Sequence, residues 1–231
     1  MVMAGKGQYP SLSRKRAKDG KRFLVKTVIA KNNQNKYILI KMSVIMISGI
    51  FCGGRKVQKT WFIADTHFGH TNIIKYEKRP FSSAQEMDTA LINNWNTCVK
   101  KEDKIFILGD FVFLPSDQTI KTAQNLNGYK ILVLGNHDRN RSVIWWQKAG
   151  FNEVSAYPII LDDFYILSHE PMYLNKNMPY ANIFGHVHGN PMYTDCSSQS
   201  FCVSVERIGY APIEFEEIKR RMQESSFRES K

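Results

Sequence analysis

Five short apolar runs in this chain each end in residues that bind metals or move protons. Trp61-Phe-Ile-Ala64 runs into Asp65-Thr66-His67, and Ile105-Phe-Ile-Leu108 into Gly109-Asp110. Ile131-Leu-Val-Leu134 is followed by Gly135-Asn136-His137-Asp138, and Phe164-Tyr-Ile-Leu167 by Ser168-His169-Glu170. Ile183-Phe184 leads into Gly185-His186-Val187-His188-Gly189. All six histidines belong to this pattern, with His70 three residues beyond His67. Histidines serving the core or a solvated face would be scattered instead. Imidazoles, carboxylates and an amide without thiolates suit Mn²⁺, Fe, Zn²⁺ or Ni²⁺, not a cysteine-bound structural zinc. About seven donors exceed the needs of one ion with open positions. Two ions roughly 3.5–4 Å apart, bridged by a shared carboxylate, account for the number, and such a pair serves in-line displacement at phosphorus.

These residues need elements that bring them together. Unbroken apolar runs of this length fit strands buried on both faces of a sheet. Donors at the C-terminal ends of five successive strands would converge on one rim of the sheet, where α/β folds place their sites. The glycines let the chain turn off a strand and let backbone approach closely. Between the first two runs, Met87, Leu91, Ile92 and Trp95 recur at helical spacing, predicting a helix over 83–99. Ser82 or Ser83 would cap it, with Glu86 completing a capping box. Thr119–Leu126 and Val143–Ala149 are further predicted helices, and Trp145 and Trp146 would supply an apolar face packing on the sheet. Strands alternating with helices, then a strand-rich end, predict an α/β layered sandwich.

Asp65-x-His67, Gly109-Asp110, Gly135-Asn136-His137-Asp138, His169 and Gly185-His186-x-His188 together resemble the calcineurin-like metallophosphoesterases. The five blocks occur in order over roughly residues 60–215. The stretch from Asp65 to Ile74, Arg79-Pro80-Phe81, and the end Cys202-Val-Ser-Val-Glu206 with Pro212-Ile213 look more narrowly like small bacterial and phage members. The resemblance implies two packed β-sheets flanked by helices and a pair of divalent metals, Mn²⁺ foremost. One metal would take Asp65, His67, Asp110 and His188; the other Asp110, Asn136, His169 and His186, with Asp110 bridging. A hydroxide between them would attack phosphorus, and His137 would act on the substrate as phosphoryl-oxygen stabiliser or general acid. His70, Asp138 and Glu170 lie outside that set: His70 could contact substrate or support the structure, Asp138 could fix its loop through hydrogen bonds, and Glu170 could support the site or be plain surface. The segment after Gly109-Asp110 lacks the Asp-Arg-Gly of the family's protein phosphatases, and only Tyr210–Lys231 follow Gly209, too little for the capping region of its repair nucleases. Small phosphodiesters, nucleotides and nucleic-acid ends are the expected substrates, with diesters favoured over monoesters.

The net charge of +11 over 231 residues suggests nucleic acid at first, but it is unevenly spread. Residues 1–59 hold 14 of the 32 Lys and Arg and one of the 21 acids, a net of +13, which leaves −2 for the rest. A basic, weakly ordered extension over 1–55 and a near-neutral domain over 56–231 are therefore expected. Val25–Ile29 and Tyr37–Ile40 are short enough to be strands within that extension. The apolar decapeptide Met42–Phe51 is too short to span a bilayer, which takes about 20 residues. A signal peptide ending there would have a polar lead of some 40 residues, and Phe51 is too bulky for a lipoprotein box before Cys52. Met42 or Met46 could equally be an internal start. Four cysteines, none in a Cys-x-x-Cys pair, fit reduced thiols in the cytoplasm. Rival readings are a scaffold that keeps the fold without catalysis, a nuclease tethered by its basic leader, and a metallohydrolase of carbon esters. The full histidine set argues against the first, and the resemblance against the last.

Overall fold

The computed structural model describes residues 57–229 apart from 176, 194 and 195, together with the backbone of 12–16, 22–31 and 37–43. The chain divides into two units, Met1–Lys56 and Val57–Lys231. In the first, β1 (Leu12–Arg16), β2 (Arg22–Lys31) and β3 (Tyr37–Ser43) pair antiparallel with β2 in the middle. The apolar runs Val25–Ile29 and Tyr37–Ile40 fall within β2 and β3. Residues 44–51 of the apolar decapeptide, and Cys52, lie outside the described residues. No described helix is long and apolar enough to cross a membrane.

The second unit begins with β4 (Thr60–Ile63), α1 (Thr71–Tyr76), α2 (Ala84–Cys98), β5 (Lys104–Leu108), α3 (Ser116–Asn125), β6 (Tyr129–Val133) and α4 (Val143–Ala149). It continues with β7 (Glu153–Ser155), β8 (Ile159–Leu161), β9 (Tyr165–Leu167), β10 (Ala181–Phe184), β11 (Ser200–Cys202), β12 (Ile213–Glu214) and α5 (Phe215–Glu229). One sheet has the order β12-β4-β5-β6-β7, parallel except for β12. The other has the order β11-β10-β9-β8, with only the β8–β9 pair antiparallel. The five apolar runs therefore end at the rims of two sheets, three strands in one and two in the other, not along a single sheet.

Alternation along the central strands explains why their apolar runs are unbroken. Phe62, Phe106, Leu108, Ile131 and Val133 pack with Leu167, Ile183 and Phe201 of the second sheet, and Ile218 and Met222 of α5 join them. Ile63, Ile105, Ile107 and Leu132 pack the other way, against Met87, Leu91 and Trp95 of α2, Ala123 of α3 and Trp146 of α4. A strand with a core on each face has no position left for a polar residue. The result is a two-sheet sandwich flanked by helices.

The helix signals translate with small shifts. Ser83 caps α2, its hydroxyl accepting from Glu86 N at 3.2 Å. The Glu86 carboxylate reaches back one residue further than a standard capping box, to the Ser82 backbone N–H at 2.8 Å and to the Ser82 hydroxyl. The two tryptophans of α4 differ in duty. Trp146 is buried and its indole N–H donates to the Asp138 carbonyl at 3.1 Å, while Trp145 is partly exposed under the Arg141 guanidinium, 4.3 Å away. Trp146 thus ties the helix layer to the loop after β6.

Candidate metal centre

After β4, β5 and β10 the chain turns in a way few side chains tolerate. Asp65, His67, Asp110, His186 and His188 all have positive φ, between 47° and 70°. They are five of the nine described non-glycine residues in that region. Each such residue carries roughly 1–3 kcal/mol of strain, which persists only where surrounding structure dictates it. The bonds that dictate it are visible: Asp65 N donates to Gly109 O at 3.0 Å, His67 N to Asp110 O at 3.1 Å, and Gly185 N to His169 O at 2.9 Å. Strand-end loops are thereby laced within each sheet, and His186 N, donating to Asp65 Oδ2 at 2.8 Å, joins the two sets.

Two groups of donor atoms result. Asp65, His67 and His188 each bring one ligand atom within 4.8 Å of the other two, and so do Asp110, His169 and His186. Asp110 lies between the groups, with Oδ2 3.6 Å from His67 Nε2 and Oδ1 3.5 Å from His169 Nε2. Asn136 joins the second group, its Oδ1 2.9 Å from His169 Nε2. His137 belongs to neither group; its Nε2 is 3.9 Å from Asp110 Oδ2 and its ring is about half exposed.

The protonation chemistry of these atoms fits cations. His169 Nδ1 faces the Leu108 carbonyl at 2.9 Å, an acceptor only, so that nitrogen carries the hydrogen. In the neutral ring the Nε2 lone pair then points among the oxygens of Asn136 and Asp110, with His186 Nδ1 3.1 Å away. Burial pushes His169 below the usual histidine range, against the pull of the Asp110 carboxylate. Acceptors turned toward one another around a neutral imidazole call for a positive ion. The other group says the same: Asp65 Oδ1 and both ring nitrogens of the buried His67 have no hydrogen-bond partner among the described residues. Burial, followed by the neighbouring His188 and Arg79, drives His67 far below the histidine range. Burial also raises Asp65 to about 7, partly offset by His188 and by its bond from the Ser204 hydroxyl.

Glycine is required beside these donors. A Cβ on Gly135 would sit 2.2 Å from Asp110 Oδ1, and one on Gly109 would sit 2.4 Å from His169 Nδ1. Any side chain there would displace a donor.

The motif blocks leave the partners of several supporting residues unassigned. Asp65 Oδ2 accepts from the Ser204 hydroxyl at 2.6 Å and from His186 N at 2.8 Å. Glu206 Oε1 is 3.1 Å from His188 Nδ1, which leaves His188 Nε2 turned toward Asp65 Oδ1, 4.0 Å away. Burial works against ionising His188, yet the Glu206 bond and the Asp65 charge outweigh it and raise its pKa. Arg79 is buried; it donates to Glu206, to the carbonyls of Asp65 and Thr66, and so braces the first loop. Glu77 lies close enough to form a third group with His188 and Glu206. Arg79 and Glu206 each stand in a stretch likened above to the small bacterial and phage members, but 127 positions separate the pair and neither stretch points to the other. Asp138 is buried and its carboxylate accepts from the N–H groups of Asp110, Phe111 and Gly135 at 2.7, 3.1 and 2.9 Å. Glu170 pairs instead with Arg139 on the surface at 3.1 Å. His70 stacks on Phe113, ring centres 4.0 Å apart.

Carboxylates and imidazoles gathered where the rims of two stacked sheets meet make a candidate site for divalent metals. The chain belongs to the calcineurin-like phosphoesterase family, whose model matches residues 58–218. It is 35% identical over 166 residues to the uncharacterized protein MJ1445 of Methanocaldococcus jannaschii, across 68% of this chain and 87% of that protein. It is also similar to the Gene 66 protein of Mycobacterium phage L5, 32% identical over 85 residues, 36% of this chain and 41% of the phage protein. Among solved structures it resembles AQ665 of Aquifex aeolicus, a protein of unknown function. The TM-score is 0.55 at 27% identity, covering 71% of this chain and 98% of that one.

Proposed function

We propose that residues 56–231 form a dinuclear-metal phosphoesterase that prefers phosphodiesters to phosphomonoesters. The carrying observation is Asp110, whose two carboxylate oxygens face His67 on one side and His169 on the other. Asp65, His67, Asp110 and His188 would hold one divalent cation, and Asp110, Asn136, His169 and His186 the second. Mn²⁺ is the expected ion, with Fe, Zn²⁺ or Ni²⁺ compatible with the same donors. When bound, the pair supplies a nucleophilic oxygen at neutral pH and offsets charge building on the phosphoryl group. His137 stands beside the substrate and either protonates the leaving oxygen or hydrogen-bonds a phosphoryl oxygen. The diester preference rests on charge. Arg79 reaches the centre but commits its donors to Glu206 and two carbonyls, so it has none to give the second charge of a monoester dianion.

The test compares bis-p-nitrophenyl phosphate with p-nitrophenyl phosphate, using metal-stripped protein resupplied with Mn²⁺. Restored hydrolysis that favours the diester and is abolished in Asp110→Asn is the expected result. Absence of activity and of bound metal with all four ions would make the protein a scaffold. Glu206→Gln keeps the shape beside His188 but removes the carboxylate that orients it. Support of that kind is worth roughly 10–100-fold in metal affinity, so a weakening of that size is expected in a Mn²⁺ titration. Unchanged affinity would leave Glu206 with the task of neutralising Arg79 alone.

A further inference from the structure

Phe113 stands three residues after Asp110 with 41% of its surface exposed, although its neighbours Phe111 and Val112 are buried. Three imidazoles surround its ring. His70 lies parallel to it within 19° at 4.0 Å, while His137 and His67 are 4.7 and 5.4 Å away. Tyr76, 69% exposed, extends this aromatic wall, its ring edge-on to His70 at 6.4 Å. His70 belongs to neither donor group, so its parallel stack on Phe113 is the role the structure gives it. An aromatic ring packed among the imidazoles of a polar site, part of it left to solvent, forgoes burial worth about 25 cal/mol per Å².

We infer that Phe113, backed by His70, is a stacking platform for a nucleobase, so that the site takes nucleotide or nucleic-acid phosphodiesters. The inference rests on the phosphoesterase reading above and names its substrate class. A group whose phosphate lies beside His137 meets Phe113, because those two rings are in contact range of each other. An aromatic face rewards a planar π partner beyond the area it covers, whereas an aliphatic chain gains only the area. Stacking also accepts every base, since all have a π face, and it needs no further readout groups.

The test uses the full chain loaded with Mn²⁺ and two ligands that share a phosphate and a ribose, AMP and ribose 5-phosphate, titrated by calorimetry. AMP is expected to bind roughly tenfold more tightly, the advantage a single base stack confers. Phe113→Leu, which keeps most of the apolar area, should reduce AMP to the affinity of ribose 5-phosphate; Phe113→Tyr should retain the advantage. Equal affinity of the two ligands in the unsubstituted protein overturns the inference while leaving the phosphate site standing. An AMP advantage undiminished in Phe113→Leu overturns it as well. Binding of neither ligand overturns the inference, and the phosphoesterase reading then stands or falls on the bis-p-nitrophenyl phosphate assay alone. Ribose 5-phosphate affinity in Phe113→Leu serves as the check that the variant is folded.

Discussion

Asp138→Ala is expected to lower the melting temperature by roughly 10 °C, since 1 kcal/mol shifts a domain of this size by about 2–4 °C. The side chain is buried and accepts three backbone N–H groups, those of Asp110, Phe111 and Gly135. Each buried donor left without an acceptor costs about 1–3 kcal/mol, so three could remove roughly 3–9 kcal/mol from a typical stability of 5–15. A water entering the vacated space would hold the loss toward the lower end. Asp138→Asn should fall between, because its amide oxygen still accepts while its NH₂ meets donors head-on. The damage would also reach the metal centre, as the Asp110 and Gly135 backbones are the pieces that Asp138 pins together. Thermal unfolding with and without Mn²⁺ reads both effects. A shift below about 2 °C in the alanine variant would show that the three N–H groups find other acceptors.

The role of Asp138 also marks where the sequence stops being readable. Donor types recurring after apolar runs identify the loops, since the same residues must both end a strand and face the site. Which sheet each strand joins is not written locally: Tyr165–Leu167 and Ala181–Phe184 look like the runs around Ile63 and Ile107, yet they pair with β8 and β11. Pairing partners are chosen by the whole core. The left-handed turns at Asp65, His67, Asp110, His186 and His188 are likewise invisible, because the usual sign of positive φ is glycine and none of these is one. Asp138, beside His137, could be expected to fix its loop through hydrogen bonds but not which groups it would hold, and Glu206 reads as an ordinary acid until its partner is known. Asp138 bonds to backbone, which leaves no trace in residue type, and Glu206 meets Arg79 across most of the domain. Glu170, placed as suggestively as either, turns out to face Arg139 at the surface.

His137→Ala is expected to lower turnover by roughly 10²–10⁴-fold while sparing the metals and the fold. Geometry separates its side chain from its backbone. The His137 N–H donates to Asp110 Oδ1 at 3.0 Å, a bond alanine keeps, whereas the half-exposed ring lies outside both donor groups. Removing the ring therefore opens no cavity and strips no donor from either group. Metal content near two ions per chain, with an unchanged melting temperature, would accompany the loss of rate. Metal loss would make His137 a ligand, and normal turnover would take it out of the chemistry. The two roles open to the ring divide on the leaving group. A proton donor matters little when the departing oxygen is already acidic, as in p-nitrophenol, and greatly when it is an alkoxide. A hydrogen bond to a phosphoryl oxygen contributes alike to both. A deficit in His137→Ala that deepens from p-nitrophenyl to alkyl esters therefore assigns the proton. An equal deficit assigns the ring to the charge on phosphorus.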